Sequence, residues 1–242
     1  MKQRTKGTAL VTGGTKRIGQ GIAFGLASRG FHIALHYNRS RSDALATSSK
    51  IKRKGVQCEI FPCDLSDETQ TVSLIMEVKK RFPNLSVLVN CASIFEKSRL
   101  RDSNIHSLNK HFTVNFISPY VLSCDFTRLC KKGQIINILD ANFVRNKTSY
   151  CDYLLSKKAL ADFTDLAAVE FAPHIRVNAI APGLILPPKG KKAGYLNRLA
   201  KDIPLRRRGN ITHITKSVEF LIENDYLTGQ IIFADGGEHL LG

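Results

Sequence analysis

Long hydrophobic runs are missing from this chain of 242 residues, although 43% of its residues are hydrophobic. No stretch approaches the roughly 18 consecutive apolar residues that a membrane-spanning helix needs. The basic N-terminal stretch, residues 1–6, leads into a short apolar run and not into the longer apolar region of a signal peptide. We therefore expect a cytoplasmic protein that does not contact a membrane.

The cysteines lack the spacing of a metal site. The chain has six cysteines, with no CxxC pair and no histidine at zinc-type spacing. In a cytoplasmic chain of this size, such cysteines are expected to be buried thiols and not disulfides or metal ligands. No metal is predicted.

Acidic residues are scarce: 20 Asp and Glu residues oppose 36 Lys and Arg residues, which gives a formal net charge of +16. Nucleic-acid binding is one explanation for such a balance. However, the basic residues are dispersed along the chain, and no aromatic-rich RNA-binding signature accompanies them. A nucleic-acid partner is therefore not expected, and the positive field would instead favour the capture of anionic small molecules.

A strand, a glycine turn and a helix follow one another from Thr8 to Gly30. A short apolar run ends in Thr12-Gly13-Gly14, and apolar residues then recur along one helical face. This order is typical of the first half of a dinucleotide-binding βαβ unit, in which the helix N-terminus stabilises a pyrophosphate. The turn residues expected to contact the cofactor are Gly13, Thr15, Lys16, Arg17, Ile18 and Gly19.

The second predicted strand ends without the acidic residue that holds the ribose hydroxyls of NAD. Arg39 stands near this position, and a guanidinium can bind a phosphate through two hydrogen bonds. Lys16 and Arg17 of the first turn add positive charge nearby. We therefore expect NADPH as the cofactor, with its 2′-phosphate bound by Arg39, His36 and Ser40. Tyr37 and Asn38 of the same segment are expected to be further cofactor contacts.

Strands and helices alternate throughout the chain. This alternation predicts a single doubly wound Rossmann-type α/β domain over residues 1–242, with a seven-stranded parallel sheet. In such a sheet the ligand lies beyond the carboxyl ends of the strands, where the strand order switches. The Lys-, Gly- and Pro-rich segment 184–202 is predicted to be a substrate lid with one short helix.

Tyr153 and Lys157 stand four residues apart in a predicted helix, so they share one face. A nearby ammonium favours the phenolate and would lower the pKa of Tyr153, which makes the phenol a better proton donor and acceptor near neutral pH. Because this spacing is common, a pair of exposed helix residues is the alternative that the spacing alone leaves open.

The order of these motifs resembles that of the short-chain dehydrogenase/reductase family over essentially the whole chain. The matching segments are Thr12-Gly13 to Gly19, Asp64, Asn90-Cys91-Ala92-Ser93, Asn115, Tyr153-Leu154-Leu155-Ser156-Lys157, Pro182-Gly183, Thr228-Gly229-Gln230 and Asp235-Gly236-Gly237. Three residues depart from the family pattern: Arg17 replaces a glycine of the cofactor turn, Cys91 a common asparagine, and Asp140 the usual catalytic serine. With Phe95 and the segment 36–40, these departures make the chain similar to pteridine reductases and the related bacterial dihydromonapterin reductases.

This resemblance implies the NADPH-dependent reduction of a dihydropterin of the dihydrobiopterin, dihydromonapterin or dihydrofolate type. The implied catalytic residues are Asp140, Tyr153, Lys157 and Asn115, with Asn115 supporting Lys157 through water. The implied substrate contacts are Arg17, Ser93, Phe95, Asp140, Tyr153 and Leu184, with Phe95 stacked on the pterin ring. The further cofactor contacts are Asp64, Leu65, Asn90, Ala92, Ser93, Lys157, Pro182 and Gly183. The resemblance also implies a homotetramer built on the long helices.

Two other functions remain open. A carbonyl reductase acting on a 3-oxoacyl thioester would share the fold and the cofactor, but a serine would normally stand at the place of Asp140. A non-catalytic NADP(H)-binding or nucleic-acid-binding protein would keep the fold alone, and the intact Tyr153 and Lys157 argue against it. Simpler roles are also open for three residues: a packed aromatic for Phe95, a loop cap for Asp140 and a helix kink for Asn115.

Overall fold

Seven parallel strands form the centre of the fold in a computed structural model that describes residues 6–187 and 193–241. The strands are β1 (Thr8–Val11), β2 (His32–Tyr37), β3 (Cys58–Pro62), β4 (Leu85–Asn90), β5 (Gly133–Ile138), β6 (Ile175–Pro182) and β7 (Ile231–Ala234). Their order is β3-β2-β1-β4-β5-β6-β7, and every neighbouring pair is parallel. The predicted doubly wound sheet is confirmed, and its strand order switches between β1 and β4.

Helices cover both faces of the sheet. Those of the described residues are α1 (Arg17–Ser28), α2 (Arg41–Lys52), α3 (Glu68–Arg81), α4 (Ile105–Phe112), α5 (Ser118–Leu129), α6 (Cys151–Glu170), α7 (Ala193–Leu199) and α8 (Ile211–Glu223). A π-helical segment, Thr113–Ile117, joins α4 to α5. Among these helices, none combines the length and the apolar character that a bilayer span needs.

Two hydrophobic clusters hold the helices to the sheet. Leu88 and Val89 are neighbours in β4 and belong to opposite clusters, because successive side chains of a strand point to opposite faces. Leu88 belongs to the cluster of α3, α5 and α6, whereas Val89 belongs to that of α1 and α8. Strands covered on both faces read as continuous apolar runs, which explains the unbroken β4 sequence.

The segment 184–202, predicted to be a lid, contains α7 and a short 3₁₀ turn, Ala200–Asp202. Residues 188–192 of this segment lie outside the described residues, and its role as a lid stays a prediction. All six cysteines are free thiols, four of them buried, and Cys91 and Cys124 are half-buried. Within the described ranges, no three His, Cys, Asp or Glu side chains gather closely enough to hold a metal ion.

Candidate active site

A cavity of about 790 Å³ runs along the carboxyl ends of the strands. The predicted site residues that line it are Gly13, Lys16, Arg17, Ile18, Gly19, His36, Asn38, Asp64, Leu65, Ala92, Ser93, Phe95, Asp140, Tyr153, Lys157, Pro182, Gly183 and Leu184. Those that the structure places outside its lining are Thr15, Tyr37, Arg39, Ser40, Asn90 and Asn115. One crevice at the strand switch therefore brings together residues from most of the chain.

The turn between β1 and α1 brings the backbones of Gly13 and Gly19 close together. A Cβ atom added to Gly19 would lie 2.4 Å from the carbonyl oxygen of Gly13, so only glycine fits there. Lys16 is the N-cap of α1 and makes no side-chain capping hydrogen bond. The first N–H groups of α1 are therefore not capped by a side chain, which suits an anionic ligand.

Arg17 adopts a left-handed backbone conformation, with a φ of 55°. Glycine takes this conformation without strain, which explains the glycine that the family has at this position. The guanidinium reaches across the crevice, where Nη2 donates a hydrogen bond to the carbonyl oxygen of Pro187 over 2.8 Å. Arg17 thus links the cofactor turn to the segment that follows β6.

The structure revises the predicted role of His36 as a phosphate ligand. The imidazole is 2% exposed; its Nδ1 accepts from the N–H of Gly13 over 3.0 Å, and its Nε2 lies 3.0 Å from the carbonyl oxygen of Cys63. Burial lowers the pKa of His36 to about 4, so the ring is neutral near pH 7. His36 supports the glycine turn and supplies no positive charge. Tyr37 is also buried and lies outside the lining of the cavity.

The remaining polar residues after β2 lie at the surface. Asn38 and Arg39 are exposed, and Ser40 is half-buried at the N-cap of α2. The pKa of Asp64 is lowered mainly by the Ser66 hydrogen bond, with smaller contributions from Asn38 and Arg39. Arg39 therefore lies near Asp64 at this end of the crevice.

Lys16 forms an exposed ion pair with Asp43 over 2.7 Å. The ion pair of Lys16 with Asp43 is exposed and therefore weak, so the Lys16 ammonium can exchange its partner for a phosphate at small cost.

Thr15 is buried, and its carbonyl oxygen accepts a hydrogen bond from Nε2 of Gln20 over 3.0 Å.

Thr12, which the sequence analysis left out of the site, joins the two strands at the switch point. Its Oγ1 accepts from the N–H groups of Cys91 over 2.9 Å and Ala92 over 3.0 Å. By contrast, the Asn90 side chain is turned into the core, where Nδ2 donates to Oδ1 of Asn137 over 2.9 Å. The Nδ2 group of Asn90 is therefore used within the sheet, and the predicted contact of Asn90 with the cofactor stays a prediction.

Asn115 is fully buried in the π-helical segment, which matches the open alternative of a helix kink. Its Oδ1 accepts from the N–H of Ile94 over 2.9 Å, and its Nδ2 donates to Oγ of Ser156 over 3.1 Å. Ser93 also donates to Oδ1, over 3.1 Å. These contacts hold the segment of Ser93 and Ile94, and the predicted support of Lys157 through water stays a prediction.

Tyr153 and Asp140 are in direct contact. The phenolic hydroxyl donates to Oδ2 of Asp140 over 3.0 Å, while Oδ1 accepts from the N–H of Asn142 over 2.8 Å. Asp140 therefore caps the following turn with one oxygen and holds Tyr153 with the other. Lys157 donates from Nζ to the carbonyl oxygen of Ile138 over 2.8 Å and lies 5.9 Å from the centre of the Tyr153 ring.

The predicted lowering of the Tyr153 pKa by Lys157 is wrong for this structure. Burial, followed by the charge and hydrogen bond of Asp140, raises the pKa of Tyr153 well above its usual value. Burial also lowers the pKa of Lys157 to about 8. The phenol therefore keeps its proton at neutral pH, as a proton donor must.

Aromatic rings form one wall above this pair. Phe95 stacks on Tyr150 with ring centres 4.3 Å apart and packs edge-to-face against Tyr153 at 4.7 Å. Phe95 keeps 44% of its surface exposed. Tyr150 was missed in the sequence because no motif marks it, although it precedes α6 by a single residue.

The far end of the cavity is lined by charged residues that no sequence motif singled out. Arg145 and Lys147 follow β5, and Glu238 follows β7. Phe143 stacks on Phe233 with ring centres 5.7 Å apart, which packs the loop after β5 against the C-terminal segment. One sequence feature could have pointed to Glu238 as a site residue: it directly follows Asp235-Gly236-Gly237, at the end of the last strand.

A family model described as enoyl-(acyl carrier protein) reductase matches residues 13–239. The chain belongs to the short-chain dehydrogenase/reductase family. The activities of this family are those of oxidoreductases, and the cavity holds the tyrosine and lysine of the family's motif.

The known relatives of this chain differ in activity. A solved structure of FolM alternative dihydrofolate reductase 1 from Brucella suis, in complex with NADP, is 33% identical with a TM-score of 0.93, covering 98% of this chain and 96% of that one. A metagenomic blue fluorescent protein in complex with NADPH is 27% identical with a TM-score of 0.88, covering 96% of this chain and 98% of that one. The 3-oxoacyl-[acyl-carrier-protein] reductase FabG of Staphylococcus aureus is 31% identical over 96% of this chain and 98% of its own length.

Proposed function

We propose that this protein reduces a dihydropterin to its tetrahydro form with NADPH. The observation that carries the proposal is the hydrogen bond between the Tyr153 hydroxyl and Asp140, beside the aromatic wall of Phe95 and Tyr150. The wall suits a flat heterocycle, which stacks on aromatic rings. A carboxylate and a phenol side by side suit its amino-pyrimidine edge and its ring nitrogen.

NADPH fits the other half of the cavity. Gly19 lies close to Gly13, and no side chain caps the N-terminus of α1. Both features suit the pyrophosphate of NADPH. The segment after β2 has Arg39 and no acidic residue, which favours the phosphorylated cofactor over NADH. The Brucella and metagenomic structures with bound NADP or NADPH support the same choice. When bound, NADPH supplies the hydride that reduces the imine carbon.

The residues of the chain then provide the proton and the orientation. Tyr153 is protonated at neutral pH, and its single hydroxyl proton points at Asp140 in the structure. For the proposed reaction the hydroxyl turns from Asp140 to the pterin ring nitrogen and gives that proton to it. Lys157, held by the carbonyl oxygen of Ile138, places an ammonium beneath the site for the nicotinamide ribose. Asn115 keeps Ser93 and Phe95 at the wall of the cavity.

The rival function is the reduction of a 3-oxoacyl thioester, which the similarity to FabG favours. Asp140 weighs against it, because a thioester carbonyl is normally held by a hydroxyl donor at this position. The similarity to FolM, an alternative dihydrofolate reductase, supports the pterin instead.

A cytoplasmic homotetramer is part of the proposal. Apolar side chains lie uncovered on α5 and α6, with Tyr120 47%, Leu166 73% and Val169 81% exposed. Large exposed apolar patches mark interaction surfaces. Light scattering after size-exclusion chromatography would test the assembly by measuring its mass.

The deciding experiment is NADPH oxidation by the purified protein, measured by absorbance with four substrates in parallel. These are dihydrobiopterin, dihydromonapterin, dihydrofolate and an acetoacetyl thioester. We expect turnover with at least one dihydropterin or dihydrofolate and none with the thioester. Turnover with the thioester alone would overturn the pterin assignment and favour the carbonyl reductase.

A further inference from the structure

A charged cluster closes the end of the cavity beyond the catalytic tyrosine. It consists of Arg145 and Lys147 from the loop after β5 and Glu238 from the segment after β7. All three line the same cavity as Tyr153 and Phe95. β6 separates β5 from β7 in the sheet, so the cluster brings together segments that follow two strands that are not neighbours.

The Glu238 carboxylate is incompletely hydrogen-bonded within the part of the chain that the structure describes. One carboxylate oxygen, Glu238 Oε1, lies 3.6 Å from both Arg145 Nη1 and Lys147 Nζ, too far for hydrogen bonds. The other oxygen, Oε2, is buried and has no hydrogen-bond partner among the described residues. Two cations share one carboxylate, so the cluster keeps one net positive charge.

The two cations are not equivalent. Arg145 is mostly buried and donates from Nη2 to the carbonyl oxygen of Leu241 over 3.3 Å, which ties it to the C-terminal segment. The Lys147 side chain is 45% exposed at the rim. An ammonium has three donors, so Lys147 can keep its contact with Glu238 and still bind an incoming acceptor.

We propose that this cluster is a subsite for a carboxylate on the tail of the substrate, with Lys147 as the contact and with Arg145 and Glu238 as its support. The inference rests on the proposed function and narrows it. A dihydrofolate carries a carboxylate-bearing glutamyl tail, whereas dihydrobiopterin and dihydromonapterin carry neutral polyols. The cluster therefore selects the dihydrofolate type, and the basic surface of the chain favours its capture.

The test compares the KM values of dihydrofolate and dihydrobiopterin in the native protein and in Lys147→Gln, Lys147→Glu and Lys147→Arg. We expect the ratio of the dihydrofolate KM to the dihydrobiopterin KM to rise about fivefold in Lys147→Gln and further in Lys147→Glu. Lys147→Arg keeps the positive charge, so its ratio of KM values should stay close to the native ratio. In the native protein, added salt should raise the KM of dihydrofolate and leave kcat largely unchanged.

Lys131→Glu is the matched control, because Lys131 is an exposed lysine just before β5, at the amino end of the strand and not at the carboxyl end where the cavity lies. It makes the same change of net charge and should leave the KM ratio unchanged. Thermal unfolding of each variant shows that it folds. An unchanged ratio in both Lys147→Gln and Lys147→Glu would overturn the subsite.

Equilibrium binding separates this inference from the proposed function. Folate and biopterin are titrated by calorimetry into the protein saturated with NADP⁺, which needs no turnover. If folate binds more weakly to Lys147→Glu but no pterin is ever reduced, the proposed function is wrong and the subsite stands. If pterins are reduced but folate binds to Lys147→Glu as tightly as to the native protein, the subsite is wrong and the function stands.

Discussion

The hydroxyl of Tyr153 donates a hydrogen bond to Oδ2 of Asp140 over 3.0 Å. Members of this family usually have a serine at the position of Asp140, and a serine hydroxyl can donate to a substrate carbonyl. A carboxylate accepts hydrogen bonds and directs the phenol. The exchange therefore replaces a hydroxyl donor by an acceptor that binds the phenolic proton of Tyr153.

Replacing Tyr153 by phenylalanine should remove the proton donor and keep the shape of the site. We expect Tyr153→Phe to lose about a hundredfold or more in kcat with a dihydropterin, because a positioned acid contributes at least that factor. The dissociation constant of NADPH should change much less. Steady-state kinetics and NADPH fluorescence titration measure the two quantities.

Tyr226→Phe is the control, because Tyr226 is 95% exposed and remote from the cavity. Its kcat should equal that of the native protein. If Tyr153→Phe retained full activity, Tyr153 could not be the proton donor, and Asp140 would be the next candidate.

The cofactor preference should depend on Arg39. Arg39→Asp places a carboxylate where a 2′-phosphate would lie and offers an acceptor to the ribose hydroxyls of NADH. We expect kcat/KM for NADPH to fall relative to that for NADH by at least about tenfold. Parallel kinetics with the two cofactors measure the ratio.

Arg41→Asp tests whether the effect is local. Arg41 begins α2 only two residues after Arg39. It makes the same charge change and should shift the preference far less. Equal shifts in both variants would mean that the general positive field, and not Arg39, determines the cofactor.

The fold was predictable because each signal for it is local. Alternating apolar runs and glycine turns predict the parallel sheet, and the chain order of the motifs places the crevice at the strand ends. The Tyr153 and Lys157 pair was predictable for the same reason, since both residues lie one turn apart on α6. Such signals do not depend on how distant segments pack.

The errors concern side chains whose surroundings depend on packing. His36 is predicted to bind the 2′-phosphate because it stands near the end of the second strand. In the structure it is buried, and its nitrogens contact the glycine turn and the carbonyl oxygen of Cys63. The Tyr153 pKa was misjudged because burial and Asp140 outweigh the distant ammonium. Lys147 and Glu238 are 91 positions apart and meet only in three dimensions, so no spacing could reveal them.

Substitutions of Arg17 should affect the stability of the fold and the binding of NADPH in different ways. Its left-handed backbone is strained for any residue except glycine. We expect Arg17→Gly to be more stable than Arg17→Ala by about 1 kcal/mol, because only glycine relieves the strain. Both variants should bind NADPH more weakly than the native protein, since both lose the guanidinium that faces the crevice.

Urea unfolding and NADPH titration of the two variants measure these effects. The comparison of Gly with Ala isolates the backbone, because both lose the hydrogen bond to Pro187 equally. Equal stability of the two variants would contradict the strain. Native-like NADPH affinity in both would contradict the role of Arg17 in the cofactor site.

His36 should make the protein sensitive to mild acid. Its pKa is about 4 in the fold, against an ordinary value of 6.5, because burial disfavours the charged ring. Between these values the unfolded chain binds more protons than the folded one, so the free energy of unfolding falls as the pH falls from 6.5 to 4. The shift corresponds to about 3 kcal/mol.

Urea unfolding at about pH 7 and about pH 4.5 tests this contribution in the native protein, His36→Gln and His174→Gln. Glutamine can keep a donor and an acceptor near Gly13 and Cys63 but does not titrate, so His36→Gln should lose less stability between the two pH values. His174 is exposed, and its variant should behave like the native protein because carboxylate titration is common to all three. A native-like loss of stability in His36→Gln would mean that the buried imidazole is not the acid-sensitive group, and that the carboxylates alone cause the loss.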